Sequence, residues 1–198
     1  GIRQSTLEAV PSLALGTSPV TLMEMVAAYG TIANGGRYIA PVMVTRIEDR
    51  NGELIEEFAT ADAEQALSDD VAYTLLDTMR GVINRGTGSA IRSRFGIRAD
   101  VAGKTGTTQD NADGWFLLMH PQLVGGAWVG FNDSRVTLRS DYWGQGAHSA
   151  LPIVGDFFNN ALRNRLIDRN ARFEAPDETG FLHRTFTQIK DGFQGLST

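Results

Sequence analysis

The sequence has no cysteine, which excludes disulfide frameworks, thiolate metal sites and cysteine nucleophiles. A cysteine-free chain suits cytoplasm and periplasm alike, so this absence does not locate the protein. Lysine is nearly absent too: the positive charge is almost all arginine, and the only lysines are Lys104 and Lys190. Every lysine-dependent motif is thereby narrowed to two positions. The three histidines, His120, His148 and His183, lie far apart without metal-ligand spacing and read as surface or capping side chains. No metal or cofactor is expected. No apolar run approaches the ~18 residues of a membrane helix, and Gly1-Ile2-Arg3-Gln4 lacks a signal-peptide profile. Acids outnumber bases, 23 to 18, and a net charge of −5 argues against a nucleic-acid partner. What is present suits a globular chain: 198 residues, 42% hydrophobic and 21% charged, enough for one domain or one domain with a tail. Beginning at Gly1 rather than Met, the chain reads as an excised piece.

Thr21-Leu22-Met23-Glu24 is a capping box and opens a helix carrying Leu22, Met25, Val26, Tyr29 and Ala33, which Asn34-Gly35-Gly36 stops. From Tyr38 to Phe58 the pattern turns to β, with Val42 and Val44 alternating and Asn51-Gly52 as a hairpin signal. Ser68-Asp69-Asp70 caps a second helix whose apolar stripe reads as Val71, Leu75, Met79, Val82 and Ile83, ended by Gly86-Thr87-Gly88. A polar turn over 90–95 leads into a β-like run from Ile97 to Ala102. After Gly103-Lys104-Thr105-Gly106-Thr107-Thr108 come two further strands, Trp115 to Met119 and Val124 to Phe131, which suggests an antiparallel meander. A glycine-rich loop from Asp141 to Gly146 precedes a third helix from about Ser149 to Leu166, its stripe read as Ile153, Phe157, Ala161 and Leu162. Residues 1–167 form the main unit, and 168–198 read as a tail or small appendix.

Gly103-Lys104-Thr105 resembles the end of a phosphate-binding loop, but that motif needs glycine where Arg98 stands and a helix where Gly106, Asn111 and Gly114 break one. Neither Gly86-x-Gly88 nor Gly144-x-Gly146 completes a dinucleotide fingerprint, since the third position holds Ile91 or Ser149. On a strand, Lys-Thr-Gly-Thr has another use. Lysine places positive charge beside a backbone that glycine leaves open to close approach, and an extended peptide can pair with that strand. Thr105 and Thr107 share one pleat face, where both hydroxyls can reach a carboxylate. Trp115, Phe116 and Trp128 read as core packing behind the sheet.

The segments Gly103 to Thr108, Asp113-Gly114-Trp115-Phe116 and Val124-x-x-x-Trp128-Val129-Gly130, with Thr21 to Tyr29 and Ala33 to Gly36 in the same order, resemble the transpeptidase domain of class A penicillin-binding proteins over roughly residues 4–166. The resemblance implies an α+β fold of the serine β-lactamase/penicillin-binding transpeptidase type, an antiparallel sheet flanked by helices, present here as its C-terminal part. It implies a peptidoglycan D,D-transpeptidase, bifunctional with a glycosyltransferase. The partners it implies are stem peptides, β-lactams and the N-terminal remainder of the domain, and the place of action it implies is the periplasmic or outer face of the cytoplasmic membrane. Lys104 would aid proton shuttling and steer the substrate carboxylate. Thr105 and Thr107 would bind that carboxylate, Gly106 would line the substrate, and the Thr107 N–H would serve the oxyanion hole.

The family also uses Ser-x-x-Lys and Ser-x-Asn, and neither occurs here: Val101 and Thr187 stand three residues before the two lysines, and no serine has asparagine two residues on. The isolated chain is therefore expected to be inactive and to leave apolar surface available for self-association. The alternative is a non-catalytic module of degenerate penicillin-binding type that binds wall peptides or proteins.

Overall fold

The computed structural model describes residues 1–133 and 135–176. Helix α1 (Leu22–Ala33) begins where the sequence signals it, with both halves of the capping box formed: the Glu24 N–H donates to the Thr21 hydroxyl and the Thr21 N–H to the Glu24 carboxylate. Gly35 and Gly36, at φ of 62° and 81°, make the left-handed exit. The chain then forms β1 (Arg37–Tyr38), the hairpin β2 (Arg46–Glu48) and β3 (Leu54–Glu57), and β4 (Glu64–Gln65), which returns antiparallel to β1. Asn-Gly does turn the hairpin, with Gly52 at φ 85° and the Asp49 carboxylate accepting from the N–H groups of Asn51 and Glu53. The β pattern is narrower than expected. Val42, Met43 and Val44 are exposed and belong to no strand.

Helix α2 (Asp69–Arg85) is followed by the single turn α3 (Ala90–Ser93), where a polar turn was expected. The meander is formed by β5 (Ala102–Thr107), β6 (Asp113–His120) and β7 (Leu123–Gly130), antiparallel in the order β5-β6-β7. β5 starts at Ala102, so most of the apolar run before it is not strand. Helix α4 (Ala150–Arg163) completes the described elements.

Both sheet faces are covered, because β6 is apolar on both, a pattern that requires two cores. Phe116 and Leu118 face Leu151, Val154 and Phe158 of α4, with Ile91 and Val101 closing that core. Leu117 and Met119 face the other way, onto Tyr29 and Ile32 of α1. Helix α2 packs against β5 and serves both cores, with Leu76 in one and Ile83 in the other.

The helix stripes match the sequence expectation only in part: Ile83 and Ala161 are buried, and Met79 and Leu162 pack against the cores. In α2 the buried side chains are Ala72, Leu76 and Ile83, while Val71 and Leu75 are exposed. In α4 they include Ala150, Leu151, Val154 and Phe158, while Ile153 and Phe157 are exposed. Ser68 makes no side-chain cap bond.

His120 is no surface residue. It is fully buried, its Nδ1 accepts the Gln122 N–H at 3.2 Å, and its Nε2 has no hydrogen-bond partner among the described residues. Burial lowers its pKa below the ordinary histidine value.

Past α4 the chain docks back on the sheet. The Asp168 N–H donates to Gln122 Oε1 at 2.7 Å, and the Phe173 N–H to Asp100 Oδ2 at 3.1 Å. Arg80 grips the same carboxylate with two bonds, of 2.8 and 2.7 Å, while its guanidinium lies between the Tyr73 and Phe173 rings. Burial pushes the Asp100 carboxyl up, but Arg80 and the Phe173 N–H outweigh it and hold the carboxyl below its ordinary value. The rest of the expected tail, residues 177–198, lies outside the described residues.

Candidate active site on an edge strand

β5 has β6 on one side and, among the described residues, no strand on the other. Which of its backbone groups face outward follows from the register. The Thr108 N–H bonds the Asp113 carbonyl at 3.1 Å, just beyond the Thr107–Gly114 pair. Hydrogen-bonded and non-bonded pairs alternate in an antiparallel ladder. Lys104 and Gly106 are therefore tied to β6, whereas Gly103, Thr105 and Thr107 turn their N–H and C=O groups to the open edge. That edge can take an extended peptide.

The side chains follow the pleat. Lys104 is exposed on the α1 face, opposite Leu117, yet its Nζ reaches over the edge to donate to the Thr105 carbonyl at 2.7 Å. Thr105 and Thr107 share the opposite face but have unlike surroundings. Thr105 is 9% exposed, with its hydroxyl 2.5 Å from that of Thr87. Thr107 is exposed, and its hydroxyl accepts the Gly146 N–H at 3.1 Å, which leaves its proton free to point outward.

Neighbouring glycines permit this packing. A Cβ on Gly103 would lie 2.5 Å from the Leu117 carbonyl oxygen, and one on Gly106 would lie 3.0 Å from the Trp115 Cβ. A Cβ on Gly146 would lie 2.3 Å from the Gly106 oxygen. The far end of the strand is fixed by the Asp113 N–H, which donates to the Thr108 hydroxyl at 2.8 Å, and by Trp128 Nε1, which donates to Asp113 Oδ1 at 2.7 Å. Phe116 is fully buried, whereas Trp115 and Trp128 are only half-buried and face each other 6.4 Å apart.

Two partners were not foreseen from the sequence. Thr87 and Gly146 lie 18 and 39 residues from the threonines they contact. Both sit in glycine-rich turns, which mark a close backbone approach without saying to what.

Residues 2–122 match the model of the penicillin binding protein transpeptidase domain. The chain belongs to this family. Penicillin-binding protein 1A of Neisseria gonorrhoeae is 35% identical over 169 residues, which are 83% of this chain and 21% of that protein. This relationship marks the chain as a class A penicillin-binding transpeptidase sequence, and it spans about a fifth of the length of such curated relatives. In fold it resembles penicillin-binding protein 1A from Haemophilus influenzae, with a TM-score of 0.73 at 24% identity over 83% of this chain and 29% of that one. It also resembles the D,D-transpeptidase domain of a peptidoglycan glycosyltransferase from Eggerthella lenta, with a TM-score of 0.58 at 26% identity over 76% of this chain and 35% of that one. The α+β transpeptidase fold expected from the sequence is thus the observed one.

Proposed function

We propose that β5 is the docking strand of a serine D,D-transpeptidase that cross-links peptidoglycan stem peptides and is acylated by β-lactams. The observation that carries this reading is the open edge at Thr105 and Thr107, with the ammonium of Lys104 folded over it. A stem peptide ending in D-Ala-D-Ala lies along the edge as an added strand. Its terminal carboxylate meets the Thr107 hydroxyl, with the Thr105 hydroxyl behind it, in the field of Lys104. The scissile carbonyl then faces the outward N–H of Thr107, and such a donor stabilises the developing oxyanion by ~3 kcal/mol. A serine from elsewhere in the parent polypeptide attacks that carbonyl. D-Ala departs with the proton that the serine gave up, and an amine of a neighbouring stem peptide takes the acyl group. Lys104 keeps positive potential beside this transfer. The reaction belongs outside the cytoplasmic membrane, with any anchor lying elsewhere in the parent.

The test is a β-lactam acylation rate measured on the parent protein. Lys104→Ala keeps the fold and lowers that rate by about 100-fold, the usual size for losing a positioned charge or proton-transfer group. Lys104→Arg does not restore it fully, because a planar fork does not replace a compact ammonium. An alanine variant within twofold of wild type overturns the assignment. The competing reading, a degenerate module that only binds wall peptides, requires a parent without Ser-x-x-Lys upstream of Gly1.

A further inference from the structure

On the loop packed at the C-terminal end of β5 lies a group of aromatic side chains that the transpeptidase reading does not use. Tyr142 and Trp143 are 55% and 59% exposed, although such large rings are ordinarily covered. They are held in a fixed arrangement. Tyr142 stacks on His148 with ring centroids 3.8 Å apart and planes 11° apart, and Trp143 meets Tyr142 edge-on at 5.0 Å. His148 Nδ1 also donates to the Tyr142 carbonyl at 3.0 Å.

The loop that presents these rings is tied to the end of β5. The Gly146 N–H donates to Thr107, the Leu138 N–H to the Asn111 carbonyl at 3.1 Å, and the Asn111 side-chain amide to Asp141 at 3.2 Å. Gly144 lies so close to Asn111 that a Cβ there would be 2.2 Å from the Asn111 Cβ. The loop that carries the aromatic ledge is thus anchored to the end of the strand proposed to hold the stem peptide.

Resting on that reading, we propose that Tyr142 and Trp143 form a subsite for the sugar rings of the glycan strand to which the stem peptide is attached. The chemistry fits a sugar. Pyranose rings present one apolar C–H face and a polar rim, and a rigid aromatic surface takes the first while neighbouring polar groups take the second. On the same loop the Ser140 hydroxyl accepts the Trp143 N–H and still has a proton to donate, Asp141 accepts from Asn111 through one carboxylate oxygen only, and Gln145, whose side-chain amide N–H donates to the Asp141 carbonyl, keeps its side-chain oxygen. Fixed rings also bind with little loss of side-chain freedom. A substrate in which peptide and glycan are covalently joined then engages the protein at two places, and the ledge favours peptides that remain attached to their glycan.

The first test uses this chain and a peptide-free probe, an N-acetylglucosamine tetramer, with binding followed by calorimetry. Trp143→Ala weakens binding by about 10-fold, the scale of one lost aromatic contact, and Trp143→Phe restores part of it. Phe157→Ala, which removes an exposed ring from α4, leaves binding unchanged. Absence of binding by the wild-type chain, or an equal loss in the Phe157 variant, overturns the proposal.

The second test uses the parent protein. Trp143→Ala leaves β-lactam acylation within twofold of wild type and slows cross-linking of glycan-linked stem peptides more than that of free ones. Equal slowing of both overturns the subsite. A wild-type parent that is not acylated at all refutes the transpeptidase reading instead, and leaves the tetramer result standing.

Discussion

At Gly103 a single hydrogen atom decides how the candidate strand packs. The Leu117 carbonyl oxygen that a Cβ would approach to 2.5 Å is backbone of the neighbouring strand, and the terminal methyls of Leu118 and Ile83 close the same space at 3.1 and 3.2 Å. Gly103→Ala therefore forces β5 away from β6 or α2 and destabilises the fold by about 1–3 kcal/mol, measurable by urea unfolding. An unchanged midpoint would contradict this packing. Glu24 shows how one side chain can outgrow its motif. Besides capping α1, it accepts from the N–H groups of Arg3, Gln4 and Ser5 and from the Ser5 hydroxyl, at 2.5–2.9 Å. The Ser5 hydroxyl, then the N–H groups of Ser5 and Gln4, hold this carboxyl well below the usual carboxylate range. Since its folded pKa is depressed, its contribution is complete above the unfolded value of about 4.3 and fades as pH falls below that. Amide protection factors at residues 3–5, taken relative to the intrinsic exchange rate at each pH, should fall below about pH 4 in the wild type and be low already at pH 7 in Glu24→Gln. Protection persisting in the variant at pH 7 would show that the N-terminal segment is held by other contacts. The capping box was legible in the sequence because it is local. The contacts to residues 3–5 were not, because no spacing rule brings them to Glu24.

Elements were legible where punctuation is strong, and their orientation was not. Helices α1, α2 and α4 and strands β6 and β7 stand where caps, glycines and alternation put them, whereas β5 begins only at the end of the apolar run that leads into it. The buried stripes of α2 and α4 are nevertheless displaced in part: Ile83 and Ala161 are buried as expected, but Ala72 and Leu76 stand in place of Val71 and Leu75, and Val154 and Phe158 in place of Ile153 and Phe157. One residue is about 100° of rotation. Both helices carry apolar side chains on two adjacent faces, so periodicity alone does not choose between them. The choice is made by small residues at close approach, Ala72, Ala150 and Gly155, the last facing the Phe95 ring at 2.7 Å from where a Cβ would stand. A hydrophobicity reading gives such residues little weight. The clamp on α2 was equally hidden, because Arg80, Asp100 and Phe173 are far apart in sequence. Removing its centre takes the two shortest hydrogen bonds from the Arg80 guanidinium, which keeps only Asp77 and Tyr73 at 3.3 Å among the described residues, and leaves the Phe173 N–H without its acceptor. Asp100→Ala should therefore cost about 2 kcal/mol and free the segment after α4, seen as faster proteolysis near Phe173. A loss below about 0.5 kcal/mol, as for an exposed ion pair, would contradict the clamp.

For the molecule as a whole, composition decides what these residues can do without help. The open edge, the lysine and the two threonines form a docking strand, but attack on an acyl carbonyl needs an activated nucleophile. In this family that is a serine three residues before a lysine. The chain has lysine only at 104 and 190, preceded at that distance by Val101 and Thr187. Of the hydroxyls near Lys104, that of Thr105 is paired with Thr87, that of Thr107 with Gly146 and that of Thr108 with the Asp113 N–H. The Lys104 Nζ is turned to the Thr105 carbonyl rather than to any of these hydroxyls, and as an ammonium it has no lone pair with which to accept their protons. Threonine is also stiffer at χ1 than serine, so an improvised nucleophile has few conformers in which to find an attack geometry. These 198 residues should accordingly form no covalent adduct with benzylpenicillin. Intact-mass spectrometry after incubation is expected to show the unmodified chain, with any carboxylate affinity at Thr107 lost on denaturation. A stoichiometric mass increase mapping to any residue from Gly1 to Thr198 would show that the chain carries a nucleophile of its own, and that β5 serves a complete site.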